Sequence, residues 1–164
     1  MIELLVLDVD GCLTDGGITY SENGDELKTF SVKDGLAIAT WIKMGKKVAI
    51  ITGRNSTIVE RRAKELQVSY LYQGVSDKKR TLDTILKDCK LSYENVAAIG
   101  DDLNDYQMLS SAKLSFTPNN GVKVIQELVD IILEKRGGDG AIREMIEIIL
   151  KKEGLTQRFL DQWV

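Results

Sequence analysis

The sequence predicts a doubly wound α/β fold, in which helices cover both faces of one parallel sheet. Three short runs, residues 4–7, 48–51 and 96–99, are apolar at every position, as expected for strands buried on both faces. Stretches with a helical spacing of apolar residues lie between these runs. Alternating strands and helices are typical of a parallel sheet, because each crossover helix packs against a face of it.

The remaining elements follow from weaker patterns. Shorter apolar runs predict three further strands, at residues 68–72, 114–116 and 131–133. Apolar residues three and four positions apart predict four helices, at residues 34–43, 56–66, 76–88 and 141–151. Gly45 follows the first of these helices and is a typical stop signal.

Residues 17–30 interrupt this alternation and predict a β-hairpin inserted after the first strand. Residues 17–20 and 26–30 form its two arms, and Asn23-Gly24 supplies residues suited to the positive φ angles of a tight turn. The hairpin is either a decoration of the surface or part of a contact with another subunit.

Length and charge predict one domain and exclude several classes of partner. We expect a single domain over residues 1–164, with a hairpin flap at 17–30 and a C-terminal tail at 153–164. A net charge of -3 provides no basic field for nucleic acid. No apolar run approaches the roughly 20 residues of a membrane span, and residues 1–8 lack the features of a signal peptide. We therefore expect a cytoplasmic protein.

Missing residue types exclude several kinds of catalysis. The sequence has no histidine, which rules out Ser-His-Asp and Cys-His mechanisms and a histidine-ligated zinc within the chain. Cys12 and Cys89 are the only cysteines, too few for a four-cysteine zinc site. A cysteine-dependent phosphatase needs arginine six residues later, where this chain has Ile18 and Asn95. Carboxylates, lysines, hydroxyls and a metal ion remain.

Polar residues lie at four places where strands end or helices begin, and ligands of open parallel sheets usually bind at the carboxyl ends of strands. Asp8 and Asp10 follow the first buried run, Thr52-Gly53-Arg54 follows the second, and residues 100–105 follow the third. Lys78 stands near the start of a predicted helix. Each group alone is more often a turn, a helix cap or a solvated charge. Together and in this order, the four groups indicate a catalytic site.

The acidic residues of these groups require a cation if they converge. Two like charges about 4 Å apart repel by about 4 kcal/mol at an effective dielectric constant of about 20. Oxygen ligands without histidine or thiolate select a hard ion, and Mg²⁺ suits carboxylates combined with a phosphate. The ion would also offset the repulsion between carboxylates and a phosphate dianion. The residues concerned are Asp8, Asp10, Asp101, Asp102 and Asp105.

All four groups and their spacing resemble the motifs of the haloacid dehalogenase superfamily of phosphohydrolases, over nearly the whole chain. The resemblance implies that Asp8 is the nucleophile, which forms an aspartyl phosphate. It implies that Asp10 protonates the leaving oxygen and then activates water. Thr52, Gly53 and Lys78 would bind the phosphoryl oxygens.

The same resemblance implies a set of metal ligands. Mg²⁺ would be held by the Asp8 side chain, the Asp10 backbone carbonyl and Asp101. Asp105, together with Asp102, would lie behind these ligands and orient metal-bound water or the phosphate-binding lysine.

The spacing of the motifs decides the subclass. Only 41 residues separate Asp10 from Thr52, and 22 separate Lys78 from Asp101, so neither interval can hold a cap domain. A capless crevice is open to water, and a neighbouring subunit would close it. The chain is similar to the homotetrameric branch that hydrolyses 3-deoxy-D-manno-octulosonate 8-phosphate in lipopolysaccharide biosynthesis, in which the hairpin helps to build the interface. Residues 155–164 would cover the same crevice or dock on a neighbour.

Further matches to this branch lie at residues 8–16, 33–35, 52–56 and 137–144. Related phosphatases of nine-carbon sialic-type sugars tend to have Glu at the position of Arg54, so Arg54 favours the eight-carbon sugar. A nine-carbon 2-keto-3-deoxy sugar phosphate is the alternative. The carboxylate of either sugar needs a second cationic site, and the candidates are Arg54, Lys135, Arg136 and Arg143.

Two hypotheses from other classes stay open at this point. A receiver-type signalling domain also combines acidic residues, Thr and Lys on a doubly wound sheet, but its acceptor aspartate normally ends a middle strand, whereas Asp8 follows the first. A non-catalytic assembly domain would keep the fold without the activity. The intact set of Asp8, Asp10, Lys78 and Asp101 argues against a loss of activity.

Overall fold

The computed structural model describes all 164 residues and contains a six-stranded parallel sheet and a separate two-stranded hairpin. The strands are β1 (Leu4–Leu7), β2 (Thr19–Tyr20), β3 (Glu26–Leu27), β4 (Lys47–Ile51), β5 (Tyr70–Tyr72), β6 (Val96–Ile99), β7 (Leu114–Thr117) and β8 (Ile131–Ile132). β2 and β3 pair antiparallel, and the sheet has the order β5-β4-β1-β6-β7-β8. The predicted parallel sheet with an inserted hairpin is confirmed.

Seven helices accompany the strands: α1 (Val32–Lys43), α2 (Thr57–Glu65), α3 (Lys78–Cys89), α4 (Tyr106–Ser111), α5 (Lys123–Leu128), α6 (Ala141–Glu153) and α7 (Thr156–Leu160). The four predicted helices are present as α1, α2, α3 and α6. α1 begins two residues before the predicted start because Ser31 caps it. α3 begins two residues after the predicted start because Asp77 is its cap and accepts a hydrogen bond from the Arg80 N–H (2.9 Å).

The sequence does not predict α4, α5 and α7, which have six, six and five residues. Fewer than two turns of helix leave too little periodicity to recognise. No helix of the protein has both the length and the apolar character needed to cross a bilayer.

The helices cover both faces of the sheet, which confirms the doubly wound arrangement. α1, α2 and α6 pack on one face together with Leu5 and Leu7 of β1, whereas α3, α4 and α5 pack on the other together with Leu4 and Val6. Successive residues of a strand point to opposite faces of the sheet, so a strand that is apolar throughout is buried on both faces. Each large apolar side chain that is fully buried contributes about 1.5–3 kcal/mol.

The strand order creates a crevice near the centre of the sheet. The chain leaves β1 towards β4 and β5 on one side, and then returns to β6, β7 and β8 on the other. Leu7, the last residue of β1, is level with Ile50 and Ile99 of its neighbours, so the loops after all three strands meet at one edge. Only a wide turn and the hairpin separate β1 from α1, and only a short turn separates α3 from β6. There is no cap domain, as predicted.

The turn of the hairpin differs from the prediction. Gly24 has a φ of +88°, but Asn23, which was also expected at positive φ, does not. The connection is longer than a two-residue turn: the Ser21 N–H donates to the carbonyl of Asp25 (2.8 Å), and the Gly24 N–H donates to the carbonyl of Ser21 (3.0 Å). One left-handed residue is enough to close a loop of this length.

The C-terminal tail packs on its own chain, away from the crevice. Phe159 of α7 is buried, and the Arg158 guanidinium donates to the carbonyl of Met44 (2.7 Å). The Trp163 indole N–H donates to Thr40 Oγ1 (3.0 Å). The Lys43 Nζ lies over the Trp163 ring, 4.1 Å from the ring centroid. These contacts gather at the end of α1 that precedes β4, opposite the carboxyl ends of the strands. The expectation that the tail covers the crevice is wrong within one chain.

Candidate active site

The first strand leads directly into the predicted nucleophile. The Asp8 N–H donates to the carbonyl of Ile99 (3.3 Å), and only 4% of Asp8 is exposed. The chain then makes a wide turn, Val9–Leu13, which is called the nucleophile loop below, and Gly11 within it has a φ of +99°. A Cβ at Gly11 would lie 2.0 Å from Asp101 Oδ2, so the glycine allows this carboxylate to approach the nucleophile loop.

A buried lysine joins Asp8 to the acidic loop after β6. Lys78 is the first residue of α3, and its Nζ lies 2.5 Å from Asp8 Oδ1 and 2.5 Å from Asp105 Oδ1. Lys78 is 2% exposed and Asp105 is fully buried. A lysine can be buried here because two carboxylates compensate its charge.

Burial and mutual repulsion shift the pKa values of this cluster. Burial is the main cause that raises the pKa of Asp8 to about 8; the charge of Asp105 adds to it and Lys78 opposes it. Burial, followed by the charges of Asp105 and Asp102, raises the pKa of Asp101 to about 6. Burial alone would lower the pKa of Lys78, but Asp8 and Asp105 outweigh it and raise the pKa. The lysine therefore stays protonated.

Asp105 and Asp102, both expected behind the metal ligands, differ in their contacts. Asp105 Oδ2 accepts hydrogen bonds from the N–H groups of Asp101 (2.9 Å) and Asp102 (3.3 Å), so it fixes the acidic loop as well as Lys78. Asp102 is exposed, and its side chain accepts from the Leu103 N–H (2.7 Å) as a helix cap. The structure brings Asp105, and not Asp102, into contact with the lysine.

Thr52 and Gly53 lie at the carboxyl end of β4, next to β1. Thr52 is 1% exposed, and its hydroxyl oxygen has no hydrogen-bond partner in the protein. Buried hydroxyls are normally paired, so this one is available to an oxygen of a ligand. Gly53 is exposed, and an added Cβ would come no closer than 3.7 Å to its nearest neighbour, the carbonyl of Val75. Space alone does not require glycine at this position.

Asp8 and Asp101 offer oxygen ligands for a cation. One ligand atom of each lies within 4.8 Å of the other and of the Cys12 sulfur. Burial, aided by the charges of Asp8 and Asp101, raises the pKa of Cys12 well above its usual range, so the thiol stays protonated and is a poor ligand. Two carboxylates without histidine or thiolate fit a hard ion such as Mg²⁺.

The hairpin contributes a lysine that the sequence pattern does not predict as part of the site. Lys28 follows β3, and its Nζ lies 2.5 Å from Asp10 Oδ1 and 3.2 Å from Glu26 Oε1. Glu26 also pairs with Arg54 Nη2 (3.2 Å), and Arg54 reaches the hydroxyl of Tyr20 (3.5 Å). Burial alone would lower the pKa of Lys28, but Asp10 and Glu26 outweigh it and raise the pKa. No sequence signal could reveal this contact, because it depends on how the hairpin folds back.

The other cationic candidates for a substrate carboxylate lie outside this cluster. Arg143 is on α6, where its Nε pairs with Glu147 (2.5 Å) and its guanidinium stacks on Phe159 (5.6 Å). Lys135 and Arg136 are exposed in the loop before α6 and form no ion pair. Of the four candidates, only Arg54 is linked by ion pairs to the contact between Lys28 and Asp10, through Glu26.

The glycine motif before α6 packs against the nucleophile loop. The Gly138 N–H donates to the carbonyl of Cys12 (3.1 Å), and a Cβ at Gly137 would lie 1.9 Å from the Gly11 carbonyl oxygen. Thr14 supports the loop from within, since its Oγ1 accepts from the Gly11 N–H (3.3 Å). The first two glycines of the match at residues 137–144 are therefore backbone that supports the nucleophile loop.

Asp34 has a structural role at the start of α6. It is 1% exposed, and its Oδ1 accepts from the Arg143 N–H (2.8 Å), so it caps the start of α6 from α1. A signal was present: Asp34 shares the apolar face of its helix with Ala37, Ile38 and Trp41 at helical spacing.

Comparison with known proteins agrees with this arrangement. The family model of the haloacid dehalogenase-like hydrolases matches residues 70–145. The 3-deoxy-D-manno-octulosonate 8-phosphate phosphatase of Escherichia coli K12 is 40% identical over 140 residues, which cover 85% of this chain and 74% of that protein.

Solved structures extend the similarity to nearly the whole chain. The phosphatase of the same name from Moraxella catarrhalis, in complex with magnesium ion, phosphate ion and KDO, has a TM-score of 0.95 and 40% identity, covering 99% of this chain and 94% of that one. The cobalt-bound deoxy-D-mannose-octulosonate 8-phosphate phosphatase of Haemophilus influenzae has a TM-score of 0.89 and 35% identity, covering 93% and 90%. The chain therefore belongs to the haloacid dehalogenase-like hydrolases, in the family of 3-deoxy-D-manno-octulosonate 8-phosphate phosphatases.

Proposed function

We propose that this chain hydrolyses 3-deoxy-D-manno-octulosonate 8-phosphate to the free sugar and inorganic phosphate, a step of lipopolysaccharide sugar biosynthesis. The observation that carries the proposal is the buried Asp8 carboxylate, which Lys78 bridges to Asp105 beside Asp101. The substrate is supported by the relatives, which share up to 40% identity with the chain and act on this sugar phosphate by name.

The residues that would hold the cofactor fit Mg²⁺. They are the side chains of Asp8 and Asp101 and the backbone carbonyl of Asp10. When bound, the ion supplies positive charge that offsets the charge of the phosphate and of its transition state. The magnesium and phosphate bound to the Moraxella catarrhalis phosphatase support this cofactor.

The side chains divide the reaction between them. A bond forms between an Asp8 carboxylate oxygen and phosphorus while the bond from phosphorus to the sugar oxygen breaks. Asp10 gives a proton to the departing sugar oxygen and then takes one from the water that hydrolyses the aspartyl phosphate. Thr52, the Gly53 backbone and Lys78 bind the phosphoryl oxygens as their charge changes.

Phosphate release from a small panel tests this function. In the presence of Mg²⁺, we expect the highest kcat/KM for 3-deoxy-D-manno-octulosonate 8-phosphate and a lower one for a nine-carbon sialic-type 9-phosphate. Asp8→Asn should abolish turnover, because an amide cannot form the acyl phosphate. A preference for the nine-carbon compound would make that compound the substrate instead. Turnover by Asp8→Asn would overturn the mechanism.

We extend the proposal to the assembly and its compartment: one domain over residues 1–164, four copies per molecule, in the cytoplasm. Ile18, Tyr20 and Leu27 of the hairpin are 47%, 60% and 55% exposed, and an apolar surface of this kind suits a subunit contact. Cys12 and Cys89 are both free thiols, which suits a reducing compartment.

A further inference from the structure

Lys28 is the hairpin side chain that reaches Asp10 of its own chain. The residues on either side of Lys28, Leu27 and Thr29, are exposed, whereas the Lys28 side chain is only 1% exposed. Its Nζ lies 2.5 Å from Asp10 Oδ1 and is shared with Glu26. Burial of an ammonium group is costly unless carboxylates compensate it, so this contact is a specific one.

Within the chain, the Asp10 side chain is positioned by Lys28 alone. Lys28 is its only hydrogen-bonding side-chain partner, and Asp10 Oδ2 has no partner within the protein. The backbone at Asp10 is extended inside the wide turn, with φ -75° and ψ 108°. Glu26, which shares the lysine, is held in turn by an ion pair with Arg54 (3.2 Å).

We propose that Lys28 is a positioning residue for Asp10: it binds Oδ1 and leaves Oδ2 to carry the proton for the sugar oxygen. This inference rests on the proposed function. As the bond from Asp8 to phosphorus forms, the bond from phosphorus to the sugar oxygen breaks, its electron pair stays on that oxygen, and the oxygen takes the proton from Oδ2 of Asp10. An acid held in one orientation delivers its proton without a search over side-chain rotamers.

The hairpin would then have two separate roles. Its exposed apolar residues face outwards, where a second subunit can bury them, and Lys28 faces inwards, where it acts within the same chain. Loss of Lys28 should therefore affect the chemical step without dissociating an assembly.

Leaving-group dependence tests the proposal. A sugar alkoxide is a poor leaving group and needs a proton, whereas 2,4-dinitrophenolate leaves without one. Because kcat/KM covers the steps only up to the first irreversible one, it reports on phosphorylation of Asp8 and not on later hydrolysis. For Lys28→Met we expect kcat/KM to fall about 10- to 100-fold with the sugar phosphate, a part of the 100- to 10,000-fold that general acid–base groups contribute. With 2,4-dinitrophenyl phosphate it should fall less than about threefold.

Two further variants complete the experiment. Lys28→Arg keeps the charge and the hydrogen bond, and should recover at least part of the loss on the sugar phosphate. Lys64→Met removes an exposed lysine on α2 and should leave both substrates unaffected. Equal losses of Lys28→Met on both substrates would show that Lys28 only attracts phosphate, and no loss would show an ion pair without a role; either result overturns the inference while the wild type stays active. A wild type inactive on both compounds would remove the proposed function as well.

Discussion

The backbone of Gly137 lies against the backbone of Gly11, so closely that a Cβ at Gly137 would fall 1.9 Å from the Gly11 carbonyl oxygen. The two glycines come from the loop before α6 and from the nucleophile loop. Gly138 strengthens the contact by donating to the carbonyl of Cys12 (3.1 Å). The position of Asp8 and Asp10 thus depends on residues more than a hundred positions away.

Gly137→Ala should therefore move the nucleophile loop. The added methyl group cannot be accommodated without a backbone shift, and overpacking of this kind costs about 1–3 kcal/mol of stability. We expect kcat/KM to fall at least about tenfold, since a 1 Å misplacement of reacting groups can cost about 100-fold. Gly154→Ala is the matched control: Gly154 has a φ of +69° and open space around it. It should lose about 1–2 kcal/mol through left-handed strain and keep its activity. Equal activity of both variants would contradict the role of Gly137.

The acidic cluster predicts how stability depends on pH and Mg²⁺. The folded pKa values of Asp8 (about 8) and Asp101 (about 6) exceed the ordinary value of 3.8. The folded state thus binds more protons than the unfolded state between about pH 4 and 8. The contribution of these groups is fully present below about pH 4 and is lost as the pH rises through 6 and 8. Mg²⁺ binds the ionised carboxylates, so it should raise the Tm more at pH 8 than at pH 5.

Thermal unfolding with EDTA and with Mg²⁺, at both pH values, measures this effect. Asp101→Asn removes one ionisable ligand and should shrink the difference between the two pH values. An equal rise of the Tm at pH 5 and pH 8 would show that the carboxylates do not lose protons when the ion binds.

Arg54→Glu should impair the sugar acid more than a generic substrate. The change places a carboxylate next to Glu26 Oε1, which now lies 3.2 Å from the Arg54 guanidinium, and removes a cation at the rim of the site. We expect a loss of at least about tenfold in kcat/KM for the sugar phosphate, equivalent to about 1.4 kcal/mol, and little change for p-nitrophenyl phosphate. Arg61→Glu, at a side chain that is 83% exposed, controls for the charge change. Equal losses on both substrates would show that Arg54 does not recognise the sugar.

Assembly should depend on the apolar face of the hairpin. Ile18→Lys and Leu27→Lys place charges where the proposed contact would bury apolar groups worth about 1.5–3 kcal/mol each when fully buried. Sedimentation should show dissociation into monomers with unchanged circular dichroism and reduced turnover. Val124→Lys charges an apolar residue that is 40% exposed on α5 and serves as the control. An assembly that survives both hairpin changes would place the interface elsewhere.

Removal of residues 156–164 should cost stability and spare catalysis. Phe159 is 5% exposed, and loss of a buried Phe side chain typically costs about 3–5 kcal/mol. The tail is fixed to the end of α1 by Trp163 and Arg158, far from Asp8. We expect a lower Tm with kcat within about twofold of the full chain. A large loss of kcat at a temperature where the truncated protein is folded would indicate that the tail acts on a neighbouring subunit.

The sequence reveals the parts of the site that follow single strands. Asp8 and Thr52 come one residue after buried apolar runs and Asp101 comes two residues after one, so their convergence follows from the parallel sheet alone. Lys28 could not be predicted in the same way, because its contact with Asp10 depends on the angle at which the hairpin leaves the sheet. Gly137 was visible as a motif, but the reason for a glycine lies in a close approach of two distant backbones. Arg143 shows the opposite case: its motif was recognised, yet Glu147 and Phe159 bind its guanidinium.

Gly137 and Gly138 support the nucleophile loop from a late part of the chain, and this affects when the active site forms during translation. A nascent chain that has released residues 1–117 from the ribosome already carries every proposed catalytic group, from Asp8 to Asp105, but it still lacks Gly137 and Gly138. The nucleophile loop then gains the backbone against which it rests. We expect catalytic competence to appear late in translation, after the sheet has formed.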